Sequence, residues 1–199
     1  MATKYILAGG LDRAHPEYWD RLGKEITAKK PIKLLSCFFS QPKKDWQDKF
    51  KGFNPFFKRA FGDDVICELA DVEDFLDQLE ECDILYLHGG TTHRLKSVLA
   101  RYGNLKPYLK GKVVIGSSAG ANYLSKLGWS PSLRQPMEGA GIVNLNVIVH
   151  YGSNFVDDEA LGPVDWDDAT QQLQELLHGK GEITPIREGE FVVVGGENG

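Results

Sequence analysis

A chain of 199 residues, 42% of them hydrophobic, can bury one good core, which predicts a single domain over residues 1–199. A net charge of −5 and a pI near 5.6 give no support for nucleic-acid or anionic-membrane binding. The longest apolar runs, such as residues 84–87, are far too short to span a bilayer, and the N-terminus carries no signal pattern. Cys37, Cys67 and Cys82 are odd in number, widely spaced and set among apolar residues. They read as reduced packing residues of a cytoplasmic protein, with no disulfide frame, no metal site and no cofactor implied.

In chain order, residues 4–8 read as a strand ending at Gly9-Gly10, residues 18–28 have helical spacing, and residues 32–39 form a second buried strand. Residues 46–61 look helical but contain Gly52 and Pro55, which predicts a break into two helices. Residues 65–69 are a short strand, and 72–81 a helix with Phe75, Leu76 and Leu79 on one face. Residues 83–87 form a strand running into His88-Gly89-Gly90, followed by a helix over 92–102. Val113-Val114-Ile115 then leads into Gly116-Ser117-Ser118-Ala119-Gly120 and a helical stretch over 121–125. Residues 129–140, with two prolines, read as loop, and 142–151 alternate as a strand. Residues 167–177 are a helix with Asp165 or Asp167 at its cap, and 183–186 and 191–194 a closing pair of strands. Such alternation predicts an α/β fold, a parallel sheet with helices on both faces. Ligands of these sheets sit at the carboxyl ends of the strands. That rule gathers Gly9-Gly10, His88-Gly89-Gly90, Ser118 and the residues after Val149 along one edge.

Strand, Gly-x-Ser-x-Gly, helix is the context of a nucleophile elbow. The turn is so sharp that its flanking positions must be small, and Ser118 is held in a strained conformation with its hydroxyl exposed. The N–H of Ala119 and the start of the following helix face any negative charge that builds up beside that hydroxyl. The alternative reading is a glycine-rich loop with two incidental serines.

A serine hydroxyl needs a base, and the base an orienting acid. His150 ends a predicted strand downstream of the elbow and is the first candidate for the base; His88, before two glycines, reads as a loop-shaping residue and a second candidate. His15, His93 and His178 lie in segments that read as exposed or as a helix start. Gly89 and Gly90 let backbone N–H groups approach an oxyanion, or make a tight turn with Thr91 or Thr92 as helix cap. For the acid, Asp157, Asp158, Glu159, Asp165, Glu188 and Glu138 all remain open on sequence grounds.

These pieces together resemble the peptidase family that contains aspartyl dipeptidase (peptidase E) and cyanophycinase. The resemblance is carried by Tyr86-Leu87-His88-Gly89-Gly90-Thr91-Thr92 and by Val114-Ile115-Gly116-Ser117-Ser118-Ala119-Gly120-Ala121-Asn122. A strand ending at His150 and the segment Ile186-Arg187-Glu188-Gly189 before Val192-Val193-Val194 also match. The resemblance implies a class I glutamine amidotransferase-like (flavodoxin-like) fold. It also implies Ser118 as nucleophile, His150 as base and Glu188 as orienting acid, with Glu138 near the place where dipeptidase members carry an acid. Oxyanion and substrate contacts would come from Gly89, Gly90, Thr91 and Ala119. Serine where amidotransferase relatives hold cysteine argues against glutamine hydrolysis by their route.

The substrate so implied is a small peptide, a dipeptide with N-terminal aspartate, which calls for a cation such as Arg134, Arg94 or His93. Dipeptidase members carry Asn where this chain has Thr91, and longer members continue beyond Val194, so a more open pocket is expected here. The rival expectation is a non-catalytic binding or regulatory module on the same fold, and an esterase using the same triad is a third. A monomer or homodimer is equally compatible with the aromatic residues Trp46, Phe53, Phe56 and Phe57.

Overall fold

The computed structural model describes residues 2–10, 12–26, 30–156, 160 and 162–196. Strands β1 (Thr3–Ala8), β2 (Lys33–Cys37), β3 (Ile66–Leu69), β4 (Ile84–Leu87) and β5 (Val113–Ser117) run parallel in one sheet. Strands β6 (Leu127–Ser130), β7 (Gln135–Glu138), β8 (Asn146–Val149) and β9 (Ile183–Ile186) form a second. The last strand, β10 (Phe191–Gly196), returns to the first sheet antiparallel to β1. The two strand orders are β10-β1-β5-β4-β2-β3 and β7-β6-β8-β9.

Helices α1 (Pro16–Glu25) and α2 (Trp46–Phe61) cover one face of the first sheet; α3 (Phe75–Glu81), α4 (Thr92–Leu99), α5 (Lys106–Leu109) and α6 (Ala119–Leu124) cover the other. The pleat divides each strand between the two faces. Ile6 and Ala8, Leu34, Ile84 and Tyr86, and Ile115 point toward Trp19, Leu22, Phe57 and Phe61. Leu7, Leu35 and Cys37, Leu85 and Leu87, and Val114 point toward Phe75, Leu79, Leu95, Leu99 and Tyr123. Each such side chain contributes about 1.5–3 kcal/mol on burial. Helix α7 (Trp166–Leu176) packs Ala169 and Leu173 on Trp129 and Ile148 of the second sheet, giving a third core.

Three expectations are corrected. Residues 46–61 form one helix, not two. Pro55 and Lys51 are both exposed, so the carbonyl that loses its helical partner is on the solvent side, while Trp46, Phe57 and Phe61 keep the buried face intact. The stretch 129–140 is not loop, because β6 and β7 pair as a hairpin with Pro136 on an edge strand, where a missing N–H costs no ladder bond. The two closing strands do not pair with each other: β9 joins β8 and β10 joins β1, so residues 187–190 cross from the second sheet to the first.

Parallel register aligns the strand ends. Ala8 is opposite Ser117, Gly116 is opposite Leu87, and Leu87 is opposite Cys37, while Val149 is opposite Ile186 in the second sheet. The edges meet through backbone bonds: His150 N–H donates to Gly9 O at 3.0 Å, Gly189 N–H to Gly10 O at 3.1 Å, and Tyr151 N–H to Ile186 O at 3.1 Å. No described helix is long and apolar enough to cross a membrane.

Candidate active site

Ser118 follows β5 with φ 49° and ψ −104°, in the left-handed region that a non-glycine residue occupies only under constraint. The constraint is steric. A Cβ on Gly116 would sit 2.5 Å from the Gly120 carbonyl carbon, and one on Gly120 would sit 2.3 Å from Leu87 O. The elbow therefore closes only with glycine at both flanks, and Ser118 N–H donates to Ala8 O at 2.9 Å to hold it against β1.

His150, immediately after β8, is 5% exposed and also has a positive φ, 58°. Its Nε2 lies 2.8 Å from Ser118 Oγ, and its Nδ1 lies 2.8 Å from Glu188 Oε1. An ionised carboxylate only accepts, so Nδ1 carries the proton, Nε2 is the acceptor, and the Ser118 hydroxyl donates. Phe155 lies against the imidazole with ring centroids 4.6 Å apart. Glu188 reaches this point because the crossing turn between β9 and β10 is tied down. Arg21 donates to Gly189 O, Gly9 N–H donates to Glu190 O at 3.0 Å, and the His15 ring packs beneath Gly189.

The other candidates fall elsewhere. Asp165 caps α7, accepting from Asp167 and Asp168 N–H at 3.0 Å. Glu138 is exposed on β7 and borders a separate groove with Lys126 and Lys180. Asp157, Asp158 and Glu159 lie outside the described residues. His88 bonds Ser36 Oγ through Nε2 at 2.8 Å and stacks on Phe38 at 3.8 Å. Burial first, then the charges of Arg13 and Lys49, hold it neutral well below the ordinary histidine range. Its ring also lines the cleft beside Ser118, and no carboxylate among the described residues meets it.

The glycine loop after β4 is clamped from outside. Gly89 O accepts from Ser40 Oγ at 2.8 Å and from Gln41 Nε2, and Lys49 Nζ donates to Gln41 Oε1 at 3.0 Å. In a trans peptide the carbonyl and the following N–H point in opposite directions. Anchoring Gly89 O on the Ser40–Gln41 side therefore turns the Gly90 N–H the other way. Gly89 is so near the elbow that a Cβ there would sit 3.3 Å from Ser118 Cβ. Among the described residues no hydrogen bond engages the N–H of Gly90 or of Ala119. Thr91 occupies the N-cap position of α4 without a side-chain cap bond, its N–H donates to Ser40 O at 2.9 Å, and it lines the cleft beside the elbow.

Residues 48–199 match the model of peptidase family S51. The chain belongs to that family. An uncharacterised peptidase of Pasteurella multocida is 30% identical over 122 residues, 54% of this chain and 58% of that protein. The match thus spans a little over half of the length of the curated relative. A putative peptidase E protein from Listeria monocytogenes EGD-e has a similar crystal structure, with TM-score 0.65 at 16% identity over 100% of this chain and 96% of that one. A peptidase from an acI-B1 actinobacterium gives 0.62 at 21% identity over 98% and 88%. These likenesses establish a shared α/β fold of the amidotransferase-like type, and the family membership agrees with the peptidase resemblance carried by the sequence.

In this S51 chain the elbow opens into a cleft of about 900 Å³. Its walls include Asp12, Arg13, Gln41, Lys49, Asn122 and Met137. Sequence reasoning missed Asp12, Arg13, Gln41 and Lys49. Asp12 was findable, since it follows Gly9-Gly10 on a strand already assigned to the ligand edge; the other three arrive through tertiary packing. Of the expected cations, His93 lines the cleft, while Arg94 is exposed outside it and Arg134 donates to Gly162 O at 2.5 Å. Burial pushes the thiols of Cys37 to about 12 and of Cys67 and Cys82 to about 11, so none is an activated nucleophile. No group of three or more His, Cys, Asp or Glu side chains with metal-binding geometry occurs among the described residues.

Proposed function

We propose that this chain is a serine peptidase that cleaves an amide bond of small peptides through an acyl-enzyme on Ser118. The observation that carries the reading is the unbroken Ser118–His150–Glu188 chain of two 2.8 Å contacts opening on a cleft. Ser118 Oγ attacks the scissile carbonyl as His150 Nε2 takes its proton, and Glu188 holds the Nδ1–H tautomer and stabilises the imidazolium. The Gly90 and Ala119 N–H groups receive the developing oxyanion, the first held in orientation by Ser40 and Gln41. His150 then protonates the leaving amine, and a water activated by the same imidazole releases the acid product.

The favoured substrate is a dipeptide with N-terminal aspartate. The family resemblance suggests it, and the cations Arg13 and Lys49 on the cleft wall support an anionic ligand. Both sheets contribute to the site, so residues 1–199 are read as one domain, and the reduced cysteines favour a cytoplasmic enzyme. The binding-module alternative called for a histidine turned away from the serine, and the 2.8 Å contacts favour turnover over it. Intact-mass labelling with a small fluorophosphonate tests the reading. A single adduct on the wild type, kept in Ser117→Ala and lost in Ser118→Ala, is expected; a folded wild type that takes no label would overturn it.

A further inference from the structure

Asp12 is a buried acid that the proton path through Ser118, His150 and Glu188 does not use. It stands two residues after Gly10, over which the His150 ring lies so closely that a Cβ on Gly10 would be 2.4 Å from the imidazole Cε1. Asp12 lines the cleft yet is only 5% exposed. Its Oδ2 accepts from the Tyr86 hydroxyl at 2.5 Å, and Tyr86 in turn faces the Tyr18 hydroxyl at 3.3 Å. Its Oδ1 has no hydrogen-bond partner among the described residues. The Ser117 hydroxyl favours the charged carboxylate without meeting hydrogen-bond geometry. Burial dominates and raises the Asp12 carboxyl above its usual range; Ser117, Tyr86 and the imidazoles of His150 and His15 pull the other way. A buried acid with one orphaned oxygen lowers stability, so packing alone would favour a neutral side chain here.

We propose that Asp12 is a second anion of the catalytic histidine, its carboxylate stabilising the imidazolium that forms when His150 takes the Ser118 proton. The inference rests on the proposed function. Glu188 meets that cation through Nδ1, whereas Asp12 acts through space, in surroundings where water does not screen it. The groups that interact electrostatically with Asp12 are Tyr86 from β4, Tyr18 from α1, Ser117 from β5, His15, and His150 itself. Around His150 stand Glu188, Ser118 and the apolar Phe155, and the imidazole and Asp12 interact electrostatically. Asp12 is thus a positioning residue for charge rather than a group that handles substrate.

The test compares wild type and Asp12→Asn for stability to urea at pH 8 and for labelling rate against pH, using an alkyl fluorophosphonate that carries no amine. The variant should be at least as stable as wild type, because a buried charge is gone. Its labelling should slow by about ten-fold on the alkaline plateau and change little on the acid limb. Tyr86→Phe, which leaves the carboxylate in place, should show a smaller loss of the same form. An unchanged plateau overturns the inference, as does an equal loss at every pH together with lowered stability, which marks a packing role. Loss confined to peptide substrates, with fluorophosphonate labelling intact, also overturns it and gives Asp12 to the substrate's ammonium group. A wild type that takes no label fails at Ser118, separately from any of these outcomes.

Discussion

Ser36 Oγ meets His88 Nε2 at 2.8 Å, and Ser118 Oγ meets His150 Nε2 at the same distance. Both histidines directly follow a strand, at the edge where the carboxyl ends gather, and both are buried. The surroundings differ. His88 is packed among Phe38, Phe53 and Tyr86, no carboxylate reaches its ring among the described residues, and its serine lies inside β2. His150 has Glu188 on its far nitrogen, and its serine stands on a strained elbow at the cleft. A serine–histidine contact alone is therefore no sign of catalysis. What the second pair adds is an acid to fix the tautomer, a place for the proton, and room for substrate.

The sharpest way to break this comparison is to remove each hydroxyl in turn. Ser118→Ala should abolish fluorophosphonate labelling, while Ser36→Ala should label at a rate within about two-fold of wild type per folded molecule, since only the elbow hydroxyl is aligned for attack. Labelling that survives in Ser118→Ala would move the nucleophile elsewhere and erase the distinction.

The second contrast is the acid. In Glu188→Gln an amide N–H would face His150 Nδ1, favour the other tautomer, and leave Nε2 protonated and unable to accept from Ser118. The labelling rate should fall roughly 10⁴-fold, the scale associated with a wrong tautomer in such a triad. A Glu138→Gln control should stay near wild type, because Glu138 borders the other groove. The reverse pattern would reinstate Glu138.

The two pairs also differ in how readable they are. Gly116, Ser118 and Gly120 announce themselves because the Gly-x-Ser-x-Gly pattern is contiguous in the chain, even though the close approach that requires Gly120 comes from Leu87 of the neighbouring strand. His150 was legible as a strand end, although β8 is shorter than the alternation of residues 142–151 suggests. Glu188 could be preferred only through family resemblance, since its role depends on residues 187–190 crossing between sheets, and sequence patterning makes β9 and β10 look like partners. The second sheet itself was hidden by Pro131 and Pro136, which read as loop until β7 is seen to be an edge strand. The clamp on Gly89 joins residues 48 apart in the chain and leaves no local signature.

That clamp yields a smaller effect. Gln41→Ala keeps Ser40 on Gly89 O but removes the amide and leaves Lys49 without its acceptor, loosening the 89–90 peptide. Labelling should slow by about ten-fold, short of the roughly 100-fold that follows outright loss of an oxyanion donor. If the peptide is held by Ser40 alone, the rate will not change.

The smallest expected effect concerns acid stability and comes from His88. Its folded-state pKa is depressed well below 6.5 by burial, so the unfolded chain binds a proton that the folded chain refuses. Stability is then independent of this group above about pH 6.5 and declines as pH falls below that value, with the unfolded state binding more protons. Urea titrations of wild type between pH 7 and pH 5 should show that decline, and His88→Gln, which cannot take the proton, should show a shallower one. Ser36→Ala leaves the imidazole in its aromatic box without the one side-chain hydrogen bond it makes among the described residues, which costs about 1–3 kcal/mol near neutral pH. The onset of the decline is set by the unfolded-state value, so it should stay near pH 6.5 in this variant as in wild type. An identical pH slope in wild type and His88→Gln would mean that His88 does not set the acid sensitivity and that another group in the fold does.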